Sequence, residues 1–268
     1  MKTKECINYI TNWLLNYAKD SKTRGFVVGV SGGIDSAVTS TLAAKTGLNI
    51  LCLEMPIHQE INQIDRAKEH INWLKENFKN VSSFSRELGE TYDCFKKTVI
   101  KGIEGDKYQI ALVNSRARLR MTTLYFYAQL NNYLVLGTGN KVEDFGIGFY
   151  TKYGDGGVDL SPIADLLKSE VFSIGKELCV INSILTAAPT DGLWNDNRTD
   201  EDQIGATYEE LEWAMAFEGN TDDLNERQQE VLDIYNRLNK ANKHKMIPIP
   251  ICKIPNHLKL QTTSQFSD

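Results

Sequence analysis

The sequence predicts an α/β protein, a three-layer doubly wound parallel sheet with a helix-rich C-terminal part. Two observations support this prediction. Short apolar runs rich in β-branched residues alternate with helical periodicity through the first half of the 268-residue chain, and glycine-rich turns follow the runs FVVGV and YLVLG. Ligands of such sheets bind at the carboxyl ends of the strands, so both turns are expected at the ligand-binding edge.

The individual elements are predicted in chain order from local patterns. Ile7, Ile10 and Leu14 recur at helical spacing, whereas FVVGV is short and β-branched and indicates a buried strand. The predicted strands are 26–30, 49–55, 81–85 and 133–139. The predicted helices are 3–20, 36–47, one carrying Ile64 to Leu74, 86–101, 108–131, 168–179, 207–217 and 223–241.

Bulk composition argues against several classes of protein. A net charge of -5 lacks the basic excess that non-specific nucleic-acid binding requires. No run approaches the roughly 20 apolar residues of a membrane span, and the N-terminus is expected to be an amphipathic helix and not a signal peptide. Five widely spaced cysteines without a CxxC pair predict free thiols in a reducing cytoplasm.

The chain is expected to form one domain over residues 1–255, followed by a frayed tail over 256–268. Residues 187–206 are polar and lack periodicity. Segments of that length between elements usually carry a function, so this one is a candidate lid over the site.

The segment GVSGGIDS, residues 29–36, carries the sharpest functional signal. Its glycines let the chain turn tightly, and the turn delivers N–H groups at the start of the next helix, where an anion is stabilised. Ser31 and Ser36 can donate hydrogen bonds to phosphate oxygens. Asp35 would repel phosphate unless Mg²⁺ bridges the two, so the segment predicts a loop that binds a nucleotide together with a metal ion.

This loop is neither the P-loop pattern GxxxxGK[ST] nor GxGxxG. It resembles the SGGxDS signature of the PP-loop ATP pyrophosphatase superfamily, whose fold is adenine nucleotide alpha hydrolase-like. The resemblance implies an enzyme that binds ATP, releases pyrophosphate and passes an adenylate to a substrate oxygen. A glycine turn with an aspartate capping the next helix is the structural alternative.

Further segments resemble the ammonia-dependent NAD synthetase family, in family order. They are NSRARLRM (114–121), LGTGNKVED (136–144), TKYGDGGVDLSPI (151–163), LLKSEVF (166–172), APTDGLWNDNRTDEDQIGATYEELE (188–212) and KHKMIPIP (243–250). The chain starts at the synthetase portion, without a preceding glutamine-hydrolysing domain, so free ammonia is the expected nitrogen donor. The resemblance implies a homodimeric ligase that amidates deamido-NAD⁺ through an acyl-adenylate, giving NAD⁺, AMP and pyrophosphate in the last step of NAD biosynthesis.

The resemblance also implies roles for single residues. The implied ATP site comprises Gly29, Val30, Ser31, Gly32, Gly33, Ile34, Asp35, Ser36, Thr138, Lys168 and Thr190. The implied deamido-NAD⁺ site comprises Arg118, Lys152, Asp159, His244 and Lys245. Asp35 and Glu143 would hold Mg²⁺, and Asp155 is the candidate catalytic residue that binds or deprotonates ammonium.

Two departures from the family leave questions open. Glu54 stands where many members have arginine, so no role is assigned to it. The stretch from Glu143 to Lys152 is one residue longer than in some members, so Asp144 could share or replace the metal role of Glu143.

Three further alternatives remain open from the sequence. The chain could be another PP-loop adenylating enzyme, such as one that thiolates tRNA, although its acidity and the lack of a cysteine motif argue against thiolation. It could also be a nucleotide-binding sensor without chemistry. Aromatic and apolar residues over 119–134 fit either a dimer contact or the core.

Overall fold

The computed structural model describes residues 1–103, 108–190 and 199–259. Its sheet has four parallel strands in the order β3-β2-β1-β4. The strands are β1 Gly25–Gly29, β2 Asn49–Glu54, β3 Val81–Ser85 and β4 Tyr133–Leu136. All four predicted strands are therefore confirmed, and a parallel bridge between Leu136 and Leu160 continues the sheet beyond β4.

The helices surround this sheet and continue beyond it. In the described part of the chain they are α1 Thr3–Asp20, α2 Ile34–Ala44, α3 Ile61–Asn77, α4 Gly89–Val99, α5 Gln109–Asn131, α6 Lys168–Glu177, α7 Asn182–Leu185, α8 Asp200–Ile204, α9 Tyr208–Ala216 and α10 Glu226–Met246. A π-helix spans Val142–Ile147, and 3₁₀ turns span Thr221–Asp223 and Asn256–Leu258. No helix of this part is long and apolar enough to cross a bilayer.

Side chains on the two faces of the sheet form separate cores, as a layered α/β fold requires. On one face Phe26 and Val28 of β1 pack with α1, α2, α3 and α6. On the other face Val27 of β1 packs with Leu51 and with Ala128 of α5. The expected three-layer arrangement is thus confirmed.

The C-terminal helices form a third apolar cluster around the π-helix. Val142 and Ile147 of the π-helix are buried against Leu211 of α9 and Val231 of α10. This packing holds the π-helix beside the carboxyl end of β4. The segment therefore reaches the same edge of the sheet as the turn that follows β1.

Two expectations lie partly outside the described residues. Of the candidate lid at 187–206, residues 191–198 are not described, and the part from Asp200 forms α8, where Thr199 and Asp202 cap its start. Of the expected tail, residues 260–268 are not described. The five cysteines are free thiols.

Candidate active site

The turn between β1 and α2 has the geometry of a phosphate loop. The Ser31 and Ser36 hydroxyls lie 3.1 Å apart, and the Gly33 N–H donates to Ser31 Oγ at 3.2 Å. Gly32 has φ +83°, and a Cβ there would lie 2.6 Å from the Gln63 carbonyl oxygen, so a side chain does not fit. No side chain caps the first turn of α2, which leaves its amide groups available to an anion.

A buried lysine joins two carboxylates beside this loop. Lys168 Nζ lies 2.6 Å from Asp35 Oδ2 and 2.9 Å from Glu143 Oε1, and only 4% of its side chain is exposed. The Tyr208 hydroxyl donates to Glu143 at 2.6 Å, and Asn140 Nδ2 donates to Asp35 at 3.1 Å. These five residues come from four segments of the chain, so the tertiary fold assembles the cluster.

The charged groups of Asp35, Glu143 and Lys168 shift one another's pKa values. Burial raises the pKa of the Asp35 carboxyl, and the Lys168 ammonium only partly offsets this. Burial also acts to raise the pKa of Glu143, but Lys168 and the Tyr208 hydroxyl outweigh it and hold that pKa below its ordinary value. For Lys168, burial acts to lower the pKa, while Asp35 and Glu143 hold it above its usual range. The lysine therefore remains charged at neutral pH.

Asp35 and Glu143 suit a hard cation only in combination with other oxygen ligands. Over residues 1–103, 108–190 and 199–259, no three acidic, histidine or cysteine side chains come together as a metal site. Mg²⁺ often completes one or two carboxylates with phosphate oxygens and water. The donor set thus fits a metal ion that arrives with a nucleotide, and it does not fit an ion held by protein alone.

A cavity of about 560 Å³ lies beside the loop, at the carboxyl ends of β1, β2 and β4. Val30, Glu54 and Ile64 line it on the α3 side of the sheet, and Asn114 and Arg120 line it along α5. A volume of this order accommodates a ligand of nucleotide size. The position agrees with the expectation that ligands bind where the parallel strands end.

Two aspartates line the same cavity. Asp155 Oδ1 accepts the Thr151 N–H at 3.0 Å, and the Asp144 carboxylate lies against Gly139, where a Cβ would overlap it. Burial raises the pKa of Asp155. Burial, together with the charge of Glu143, raises the pKa of Asp144 to about 8. A raised pKa makes the Asp155 carboxylate a better proton acceptor, whereas Asp144 mostly holds its proton at neutral pH.

Most of the predicted site residues meet here. The main cavity is lined by Gly29, Val30, Ser31, Asp35, Ser36, Thr138, Glu143, Asp155, Thr190 and Lys245. An adjoining cavity of about 80 Å³ is lined by Gly32, Gly33, Ile34 and Lys168. The adjoining cavity also receives Arg66, which the sequence did not single out and whose Nε donates to the Gly32 carbonyl at 3.3 Å.

Four predicted substrate residues lie outside both cavity linings. Lys152 Nζ donates to the His244 carbonyl at 2.6 Å, and Arg118 Nη2 donates to the Lys152 carbonyl at 3.3 Å. Asp159 accepts the Tyr125 hydroxyl at 3.0 Å. Arg118, Lys152 and His244 therefore form a polar cluster of their own. Contacts of all four residues with substrate stay a prediction.

Arg120 is a cavity residue that sequence reasoning missed. Its Nε donates to the Met55 carbonyl and its Nη2 to Gln59 Oε1, both at 2.9 Å, and burial lowers its pKa to about 10. The signal was available in the helical period, because Arg120 and Leu124 are one turn apart and both line the cavity. Arg118 lies on an exposed face of the same helix.

A π-helix over Val142–Ile147 carries both Glu143 and Asp144. A π-turn contains one more residue per hydrogen-bonded turn than an α-turn, and such turns are frequent at functional sites. Here the consecutive carboxylates Glu143 and Asp144 both line the cavity, while only Glu143 contacts Lys168. The two acids thus have different surroundings, and the division of the metal role between them stays a prediction.

Comparisons with known proteins find relatives over nearly the whole chain. The family model for NAD synthase matches residues 6–248. Proteins named NH(3)-dependent NAD(+) synthetase from Mesoplasma florum and Carboxydothermus hydrogenoformans are 39% and 35% identical, over 91% and 88% of this chain and 95% and 92% of their own. The solved NMN synthetase of Francisella tularensis superposes with TM-score 0.83 at 34% identity, covering 96% of this chain and 99% of its own. The NH3-dependent NAD synthetase of Campylobacter jejuni, solved with a nitrate ion, gives 0.75 at 26% identity, covering 94% and 100%.

Proposed function

Because this chain belongs to the NAD synthase family, we propose that it is an ATP-dependent ligase that converts the nicotinate carboxylate of deamido-NAD⁺ into the amide of NAD⁺. Ammonia supplies the nitrogen, and AMP and pyrophosphate are released in the last step of NAD biosynthesis. One observation carries the proposal. The phosphate loop at 29–36, the Asp35–Lys168–Glu143 cluster and Asp155 meet at one site.

In the first step the substrate carboxylate attacks the α-phosphorus of ATP, and the bond to pyrophosphate breaks. The protein chiefly brings together two anions that would otherwise repel each other. Amides at the start of α2 and the Ser31 and Ser36 hydroxyls donate to phosphate oxygens. Arg66 and the loop residues Gly32 and Gly33 line the adjoining cavity, so the departing pyrophosphate is expected there.

Mg²⁺ belongs to this step as part of the bound nucleotide. Asp35 and Glu143 are the residues that would hold it, because both line the cavity at the phosphate loop and share the Lys168 ammonium. When bound, the ion supplies positive charge that neutralises phosphate oxygens.

In the second step ammonia attacks the carbonyl carbon of the adenylate, and AMP leaves. Ammonium predominates at neutral pH and has no lone pair, so a base must accept its proton. Asp155 lines the cavity, is oriented by the Thr151 N–H at 3.0 Å, and has a pKa that burial raises. These properties suit a carboxylate that binds ammonium and then takes its proton.

A second candidate is the same chemistry on a smaller substrate, nicotinate mononucleotide. The solved protein named NMN synthetase resembles this chain at 34% identity and TM-score 0.83, against 26% and 0.75 for the Campylobacter NAD synthetase. The cluster of Arg118, Lys152 and His244 lies outside the main cavity. A contact between these residues and the dinucleotide, which extends further than the mononucleotide, would favour the first candidate.

A steady-state amidation assay tests the proposal directly. Deamido-NAD⁺ and nicotinate mononucleotide are compared with ATP, Mg²⁺ and either ammonium or glutamine. The proposal predicts the higher kcat/KM for deamido-NAD⁺, turnover with ammonium, and a raised KM for deamido-NAD⁺ in Lys152→Ala. A higher kcat/KM for the mononucleotide supports the second candidate. ATP binding without pyrophosphate release would identify a sensor and contradict both.

The surface of α5 favours a homodimer. Phe126 and Leu130, one turn apart, are 63% and 69% exposed, whereas Leu124 and Tyr127 of the same helix pack against the core. Neighbouring exposed apolar side chains commonly mark an interface. We place this dimer in the cytoplasm, where the five free thiols would stay reduced.

A further inference from the structure

Glu54 is a carboxylate that the fold buries without satisfying it. It ends β2, is 9% exposed, and its Oε2 finds no hydrogen-bond partner among the residues the structure describes. Its backbone carbonyl accepts the Arg86 N–H at 2.8 Å, so the strand pairing makes no demand on the side chain. Burying a charged oxygen without a donor is costly. A group that the fold neither needs nor satisfies is expected to serve a ligand.

The side chain of Glu54 reaches the main cavity. Side chains alternate along a strand, so Glu54 shares the face of Ile50 and Cys52, which pack in the apolar core with α2 and α3. At Glu54 this apolar layer ends, and the cavity begins between Val30 and Ile64. Glu54 therefore lies at the wall of the space in which a ligand binds.

The charge of Glu54 is not compensated by its neighbours. Burial raises its pKa, and the positive charges of Lys68 and Lys75 on α3 only partly offset this effect. A phosphate group cannot complete the environment, since it would repel the carboxylate. A hydroxyl group of a ligand is one donor that can supply the missing partner.

The phosphate loop fixes which part of a nucleotide lies here. The Val30 N–H donates to the Leu53 carbonyl at 2.9 Å, so Val30 and Glu54 lie side by side on adjacent strands, about 4.8 Å apart. Ser31 of the loop follows Val30 directly. A nucleotide whose phosphates rest on the loop thus brings its sugar within one side-chain length of the carboxylate.

We propose that Glu54 accepts hydrogen bonds from the ribose hydroxyls of the nucleotide held by the phosphate loop, and so helps to select that nucleotide. This inference rests on the proposed use of ATP. Ribose hydroxyls are neutral donors that a carboxylate oxygen can accept. Adenine offers a single amine next to an acceptor nitrogen, which matches a carboxylate less well.

The test is calorimetric titration of wild type, Glu54→Gln and Glu54→Ala with Mg²⁺ and ATP, 2′-deoxyATP, 3′-deoxyATP or inosine triphosphate. Wild type should bind the deoxynucleotides about ten- to a hundredfold more weakly than ATP. Both variants should bind ATP more weakly by a similar factor and no longer distinguish it from the deoxynucleotides. Glu60→Gln, an exposed glutamate at the start of α3, is the matched control and should behave as wild type.

Thermal unfolding without nucleotide separates recognition from a structural role. Glu54→Gln removes an unsatisfied buried charge, so its Tm should equal or exceed that of wild type; a lower Tm would indicate a structural role and overturn the inference. The inference would also be overturned if both variants still bound ATP more tightly than the deoxynucleotides by the wild-type factor. It would be overturned too if the variants lost only the preference for ATP over inosine triphosphate, because Glu54 would then contact the amine of the base and not the ribose. If wild type itself binds no ATP, the proposed function fails; if wild type binds and the variants match it, only the role of Glu54 fails.

Discussion

At the scale of single residues, Lys168 balances the charge of the site. Its ammonium contacts Asp35 and Glu143 at 2.6 and 2.9 Å, and almost none of its side chain reaches solvent. Two carboxylates this close cannot both remain ionised in a buried setting without a cation. The same lysine is therefore required by the fold and by the proposed chemistry.

Lys168→Ala is expected to lower the free energy of unfolding by about 3–5 kcal/mol, because it leaves two buried carboxylates without compensation. Urea unfolding followed by circular dichroism measures the loss. The matched control is Lys141→Ala, whose partner Asp165 is 97% exposed, and which should change the free energy by about 1 kcal/mol or less. Equally small losses in both variants would contradict the assigned role.

His70 should make stability depend on pH. It is fully buried, its Nε2 lies 3.0 Å from Ser40 Oγ, and burial lowers its pKa from 6.5 to about 4. Between these two values the unfolded chain binds a proton that the folded chain excludes. The free energy of unfolding should therefore be unaffected above the unfolded pKa and fall as pH drops towards 4, by about 3 kcal/mol in total.

Urea unfolding of wild type and His70→Gln at about pH 7.5 and about pH 5 measures this contribution. The variant should lose less stability than wild type between the two conditions, because glutamine does not titrate. Identical pH dependence in both proteins would show that His70 does not contribute.

The place of a residue in the candidate site could be predicted from sequence where the residue belongs to a distinctive local motif. The loop at 29–36 and Asp155 were found because their neighbours in the chain are distinctive. Glu54 and Arg66 were not, because their importance depends on burial and on partners distant in sequence. Arg120 was missed although helical spacing pointed to it.

At the scale of elements, helical periodicity predicted the long helices, since burial on one face imposes it, and short β-branched apolar runs predicted the strands. It did not predict α7, α8 or the π-helix. Helices of one turn contain too few residues to show a period. A π-turn differs from an α-turn by one residue, which a single sequence does not reveal.

The turn between β1 and α2 should tolerate no side chain at Gly32. Gly32→Ala combines φ +83° with a Cβ 2.6 Å from the Gln63 carbonyl, so kcat/KM should fall by about a hundredfold or more as the loop moves. Gly47→Ala is the matched control, with φ +77° and no atom within 4 Å of the added Cβ. It should lose about 1 kcal/mol of stability and keep its activity. Equal kinetics for the two variants would contradict a tightly built loop.

At the scale of the whole molecule, the topology brings distant segments to one edge of the sheet. Asp35 and Lys168, which are 133 residues apart in the chain, meet because α2 and α6 pack on the same face. Sequence motifs predicted that both residues belong to the site. Their contact could not be predicted, because it follows from tertiary packing and not from local pattern.

The proposed dimer makes a prediction at this scale. Phe126→Asp should shift the protein from dimer to monomer, because it places a charge at the centre of the exposed apolar surface of α5. Sedimentation velocity measures the change. Tyr9→Asp, at a 75% exposed position on α1, is the matched control and should remain dimeric. A wild-type monomer, or a dimeric Phe126→Asp protein, would contradict the assignment of this surface.

The central claim is that the site transfers the adenylyl group of ATP to a substrate carboxylate. Its most direct test uses deamido-NAD⁺ labelled with ¹⁸O in the nicotinate carboxylate and follows the label by mass spectrometry. We expect one ¹⁸O atom in the AMP released with NAD⁺. Formation of NAD⁺ with unlabelled AMP, or with the label in inorganic phosphate, would contradict it.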